Sequence, residues 1–297
     1  MLKRLLRIPV VLTLILLAIF FPTLVFADDR PIASQIQEEV WALPLPLPSI
    51  AYVARPAGKG PFPLVVMNHG VAMDPRERSF FPLVEFRHAA FWFARRGYFV
   101  VAPAGAGYGA AGLDIPERGI HAVFFQKIGK CTNPNFRDAG LAVAAMDLWT
   151  IKYLTDKKTV LPDNIIVVGQ SAGGWGSIAL AGQNPPNIKG IIVFAAGRGG
   201  HVDGKPNNNC NPDKLVEATA AFGGTARVPM LWIYTRNDTY FGPELSGRMH
   251  KAFVGAGGKA EYHLLEPFGD DGHFFIDSPE AIPIWAPLVS RFLDQPR

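Results

Sequence analysis

Cysteine is scarce in this sequence: Cys131 and Cys210 are the only two in 297 residues. No grouping of His, Cys and carboxylates has the spacing of a metal centre, so no metal is expected. Internal repeats and charged low-complexity tracts are absent, so nothing demands a second domain. No basic stripe runs along any segment, which argues against nucleic acid as a partner. Charged residues make up only 18% of the chain against 49% hydrophobic. That balance suits a globular protein with a sizeable core. Glycine and proline are plentiful, at 30 and 26 residues, as expected of a chain with many turns.

One long apolar run is present, and it sits at the start. Lys3, Arg4 and Arg7 precede Ile8 to Phe26, and Val25-Phe26-Ala27 offers small residues where a signal peptidase reads. This three-part pattern predicts a secretory signal peptide over residues 1–27, with residues 28–297 as a single domain. An uncleaved leader would instead anchor the domain to a membrane. The full chain carries 29 basic and 25 acidic residues; losing the three basic leader residues leaves 26 against 25, a net of +1. The apparent basicity therefore belongs to the targeting segment. In an exported protein the two cysteines are expected to form one disulfide.

Beyond the leader, Asp28 to Gln37 is expected to be a mobile lead-in. The proline-alternating stretch "VWALPLPLPSIAYVARP" reads as an edge strand or extended segment, because proline cannot donate to a sheet ladder. Strand and helix signals then alternate. "PLVVMNHG", "YFVVAP", "NIIVVGQ", "IKGIIVFAA", "VPMLWIYTRND" and "AEYHLLEPF" are strand-like, and "EFRHAAFWFARRG" and "DAGLAVAAMDLWTIKYLTD" have helical spacing. Further helices are expected after "VVGQ", near Pro243–Val254 and over Pro279–Leu293. Apolar strands alternating with helices predict an α/β protein: a mostly parallel central sheet covered on both faces. Two long rim segments, 104–135 and 198–213, leave strand ends, and each holds one cysteine. A bridge between them would brace the rim.

The chemistry is concentrated in four short motifs. Gly169-Gln170-Ser171-Ala172-Gly173 fits G-x-S-x-G at a strand-to-helix junction, a setting that lifts a serine hydroxyl out of the sheet as a nucleophile. A serine hydroxyl needs a general base. His273, in "FGDDGHFF", lies just beyond the last strand. His88 and His250 fall in helical patterns and His263 inside a strand, while His69, His121 and His201 are further rivals. Asp238, after "MLWIYTRN", supplies a carboxylate at another strand end; Asp270 and Asp271 read as turn-formers, and Asp203 lies in the glycine-rich rim. An oxyanion needs two N–H donors. Ala172, following the nucleophile, is one, and Val71 of "NHGVAM" is the other, with His69 shaping the loop. Tyr108, Phe124, Phe125, Trp175 and Tyr240 are candidates to line a pocket.

The set "NHG…GQSAGGWG…RND…DGH" resembles the α/β-hydrolase superfamily, most of all its dienelactone-hydrolase-like branch, over about residues 62–292. Dienelactone hydrolases proper use a cysteine nucleophile, whereas this chain has Ser171. The resemblance implies an α/β-hydrolase fold. It implies a serine hydrolase acting on a small-molecule or polymeric carboxylic ester, with Ser171, Asp238 and His273 in catalysis and no cofactor. A peptidase or amidase using the same triad, and a non-catalytic binding protein on the same scaffold, are the alternatives.

Overall fold

The computed structural model describes residues 35–72, 74–109 and 128–295. The leader with its cleavage point, His121, Phe124 and Phe125 lie outside the described residues. Among those described, eight strands form one sheet: β1 (Ile36–Leu43), β2 (Ser49–Pro56), β3 (Phe62–Asn68), β4 (Phe99–Pro103), β5 (Val160–Gln170), β6 (Ile188–Phe194), β7 (Met230–Thr235) and β8 (Ala260–Leu265). Their order is β1-β2-β4-β3-β5-β6-β7-β8. β1, β2 and β4 pair antiparallel, and every pairing from β4 through β3 to β8 is parallel.

The helices are α1 (Pro75–Ser79), α2 (Arg87–Ala94), α3 (Phe136–Asp156), α4 (Ser171–Gln183), α5 (Pro212–Thr225), α6 (Pro243–Gly255) and α7 (Ile282–Asp294). They cover both faces, as the apolar strands require. Along β5, Ile165 and Val167 enter a core that includes α3 to α6, whereas Ile166 and Val168 enter one that includes α2 and α7. Period-two alternation thus feeds two cores from one continuous apolar run. Among the described residues no helix is long and apolar enough to cross a membrane.

Two expectations need correction, and helix α5 was not expected at all. The expected mobile lead-in ends too late, because Ile36 and Gln37 already belong to β1 and pair with Pro56 and Arg55. The proline-alternating stretch is not one edge strand but two strands and their connection, and β2 is interior, between β1 and β4. Three of its prolines fall in the connection, and the fourth, Pro56, ends β2. There Leu43, Leu45 and Leu47 are buried while Pro44, Pro46 and Pro48 face solvent. An extended backbone puts alternate residues on opposite sides, so prolines are tolerated where no ladder bond is asked of them. Finally, α5 emerges from the end of the second rim segment. Its start is written in Asn211, whose side chain accepts from Lys214 N–H, and in Pro212 at the first turn. Gly223 and Gly224 near its end obscured the helical signal.

Candidate active site

The ends of β3, β5, β7 and β8 carry Val71, Ser171 with Ala172, Asp238 and His273 respectively. β5 runs straight into α4, and Ser171 at the junction takes φ 53°. This left-handed backbone is uncommon for a non-glycine residue and marks a held, strained turn. The turn needs its neighbours small: a Cβ on Gly173 would lie 2.3 Å from Asn68 O. Gly70 is equally constrained, since a Cβ there would stand 2.6 Å from Gln170 Oε1 and 3.1 Å from the Ser171 Cβ. The "NHG" loop therefore passes directly over the serine turn.

His273 lies in a 3-10 turn, Gly272–Asp277, rather than in open loop. Its ring is buried, and Nδ1 donates to Asp238 Oδ1 at 3.0 Å. The same Oδ1 accepts the backbone N–H groups of Tyr240 (2.8 Å) and Phe241 (2.9 Å), which fixes the carboxylate. Asp238 Oδ2 is buried with no partner among the described residues. Asp271 does what was expected of a turn-former and caps the turn by accepting from His273 N–H. Burial alone would raise its carboxyl, but the Thr239 hydroxyl and the N–H groups of His273 and Thr239 bring it below the ordinary value. Asp270 and Asp203 are exposed.

The rival histidines have other work. His88 faces Asp277 at 3.6 Å, and His263 sits in β8 beside Glu261. His250 Nε2 meets Ala260 O. His69 is held at both nitrogens: Gly105 N–H donates to Nε2 at 2.7 Å, so the proton sits on Nδ1, which donates to Gly70 O. Burial drives its pKa down to about 4, against a smaller upward pull from that carbonyl. It is a neutral strut of the loop, as expected.

Val71 and Ala172 line one cavity together with Ser171. Val71 N–H donates to no protein group among the described residues, whereas the next N–H, of Ala72, is taken by the Tyr108 hydroxyl. Ala172 lies in the first turn of α4, where helix N–H groups lack intrahelical acceptors. The Cys131–Cys210 disulfide is present and joins the two rim segments. It is backed by Cys210 N–H to Gly199 O and by Asn211 Nδ2 to Cys131 O. Of the suggested lining residues, Tyr108 and Tyr240 face cavities. Trp175 does not: it is fully buried, with Nε1 donating to Phe136 O in the packing of α3 on α4.

Several contacts of the site were not legible in the sequence. Gln170 Nε2 donates to His273 O at 3.0 Å, tying the histidine turn to the residue before the serine. Tyr240 lies flat on the His273 ring at 4.1 Å, and His201 stacks on Tyr240 at 3.5 Å. Asp147, in mid-helix of α3, accepts from Asn68 Nδ2 at 2.9 Å; burial pushes its carboxyl up to about 8, against the opposing pull of that bond. An Asp at a buried position of an amphipathic helix was the one available signal.

No protein-family model matches the sequence, and no curated protein matches it. Solved structures do match. A structure assigned as a dienelactone hydrolase from Klebsiella pneumoniae aligns with TM-score 0.60 at 18% identity, covering 88% of this chain and 100% of that one. An acylaminoacyl peptidase from Pyrococcus horikoshii aligns with TM-score 0.61 at 14% identity, over 87% of this chain and 41% of that one. A puromycin-hydrolysing peptidase from Mycobacterium tuberculosis aligns with TM-score 0.62 at 16% identity, over 90% and 40%. This chain thus spans about two fifths of the peptidases it matches. The likeness establishes the fold, that of the α/β-hydrolases, as the strand order and motifs implied.

Proposed function

We propose that this protein is an exported serine hydrolase that cleaves a carboxylic ester through an acyl-enzyme. The observation that carries the reading is the buried Asp238–His273 pair, whose histidine turn is tied through Gln170 to the left-handed strand-to-helix turn that carries Ser171. Ser171 Oγ attacks the ester carbonyl carbon while its proton passes to His273 Nε2. Asp238 holds the Nδ1–H tautomer and stabilises the imidazolium that forms. The Val71 and Ala172 N–H groups receive the oxyanion. The bond from the acyl carbon to the alcohol oxygen then breaks, and that oxygen takes the proton from His273. Water next gives a proton to His273 and its oxygen to the acyl carbon. Ser171 Oγ departs with the proton returned, leaving a carboxylic acid that ionises. No cofactor enters these steps.

The disulfide supports export, since such bonds persist in oxidising compartments. The test is a panel of p-nitrophenyl esters of increasing chain length beside aminoacyl anilides, with Ser171→Ala as control. Ester turnover that vanishes in the variant supports the proposal. Anilide turnover without ester turnover would move it to a peptidase or amidase, and turnover unaffected by the substitution would sink it.

A further inference from the structure

A buried polar cluster ties together the two segments that carry the oxyanion donors. Asn68 ends β3, shortly before Val71. Its Nδ2 donates to Asp147 Oδ2 at 2.9 Å and to Ser177 Oγ at 3.4 Å. Ser177 Oγ in turn donates at 3.0 Å to the carbonyl of Gly173, the residue after Ala172 in the first turn of α4. There α4 and the β3 loop are in close contact: a Cβ on Gly173 would stand 2.5 Å from His69 O. One cluster therefore joins α3 through Asp147, the Val71 segment through Asn68, and the Ala172 turn through Ser177. All three side chains are buried, Asp147 to 1% exposure.

A carboxyl is a costly choice for that position. It lies on the α3 face that buries Ala144, Met146, Thr150 and Leu154, where an apolar side chain would lose less on leaving water. What the carboxyl adds is a fixed acceptor for Asn68. We propose that Asp147 is a positioning residue: held on Asn68, it fixes the strand end that aims the Val71 N–H at the oxyanion. This rests on the hydrolase reading above and adds a residue to it.

The segment that Asp147 supports must receive a negative charge. Burial keeps the carboxyl protonated up to about 8, against the pull of the Asn68 bond. Ionised, it would put a second negative charge one hydrogen bond from that segment, in a core with little to screen it. The elements packed on it supply no compensating charge. β3 and α4 carry no titratable side chain. His69, which follows Asn68, is buried with its pKa lowered to about 4, so it is neutral. Asp163 of β5 is exposed, as are Asp213, Lys214 and Glu217 of α5. On α3 itself Arg137, Asp138, Lys152 and Asp156 all face solvent.

The experiment follows 4-nitrophenyl butyrate cleavage against pH for the native protein, Asp147→Asn and Asp147→Ala, with a thermal melt at each pH to confirm folding. Native kcat should fall above the Asp147 pKa, to about tenfold below its plateau at about pH 9. The conservative Asp147→Asn is neutral at every pH and still accepts from Asn68, so it should restore a flat alkaline limb. Neither phenol at the site competes for that limb, since burial raises Tyr240 and takes Tyr108 up to about 12. Asp147→Ala removes the support and should lower kcat about tenfold with KM within about twofold. It should also weaken inhibition by a trifluoromethyl ketone, whose adduct with Ser171 carries an oxyanion, in the same proportion as kcat/KM. Should Asp147→Ala not fold, the alkaline limbs of the native protein and Asp147→Asn decide alone. A native kcat flat through pH 9, or an alkaline fall that persists in Asp147→Asn, overturns the inference and leaves the hydrolase reading standing. A folded Asp147→Ala with native ketone affinity overturns it equally. Absence of cleavage and of fluorophosphonate labelling at Ser171 in the native protein removes the hydrolase reading and the inference with it.

Discussion

Individual side chains at this site divide into those that would react and those that hold them. Ser171→Ala should abolish labelling by a serine-directed fluorophosphonate while leaving the fold intact, measured by labelling beside a thermal melt. Asp238→Asn keeps size and removes the charge that favours imidazolium; a related triad loses about 10⁴ in kcat on such a change, so a fall of at least about 10² is expected in ester assays. Asp203→Asn should retain most activity, since Asp203 is exposed in the rim. Asp147 has a different signature. Its carboxyl titrates near 8 in the folded protein because it is buried, against an ordinary value of 3.8 in the unfolded chain. Between those values the folded state binds the extra proton, so stability falls as pH rises through that window, by up to about 1.4 kcal/mol per pH unit. Asp147→Asn should flatten this slope in denaturant titrations run from pH 5 to 8. An unchanged slope would assign the pH dependence to other groups.

At the scale of elements, the site depends on how closely α4 lies against the end of β3. The contact point is Gly173, where a side chain would meet the Asn68 carbonyl at 2.3 Å. Gly173→Ala should therefore push the β3 loop away from the serine turn. The expected result is about 1–3 kcal/mol lost from overpacking, together with a kcat loss from displacement of Val71. Stability and turnover measured on one variant check both. Conversely, the 3-10 turn of His273 is suspended from three supports: Asp271 at its start, Gln170 at its main chain and Tyr240 on its ring. Loss of the Tyr240 ring should cost turnover more than stability, because it touches the imidazole and the cavity at once.

Across the whole molecule, the disulfide joins segments 79 residues apart in sequence. Closing so long a loop restricts the unfolded chain, and the chain-entropy treatment gives about 4–5 kcal/mol as the upper contribution. Paired Cys131→Ser and Cys210→Ser replacement should lower the melting temperature and loosen the rim, raising KM before kcat. The export proposal belongs to this scale too. N-terminal sequencing of protein recovered outside the cytoplasm should begin at Asp28. An intact Met1 end in the membrane fraction would favour an anchored form.

The sequence by itself was enough for the alternating α/β plan, the serine turn, the Asp238–His273 pairing and the cysteine bridge. These are local signals: apolar β-branched runs, glycines flanking a serine, and polar residues at the ends of strands. What it misread, it misread for want of partners. Whether "LPLPLP" joins two strands or forms one depends on β4 accepting β2 as an antiparallel neighbour. Whether α5 forms depends on Leu215, Thr219 and Phe222 finding a core to enter. The supports of the site were hidden for the same reason. Gln170 meets His273 across 103 residues and Asn68 meets Asp147 across 79. A side-chain hydrogen bond between distant residues has no period and no spacing. Only the tertiary structure could decide which polar groups stand together.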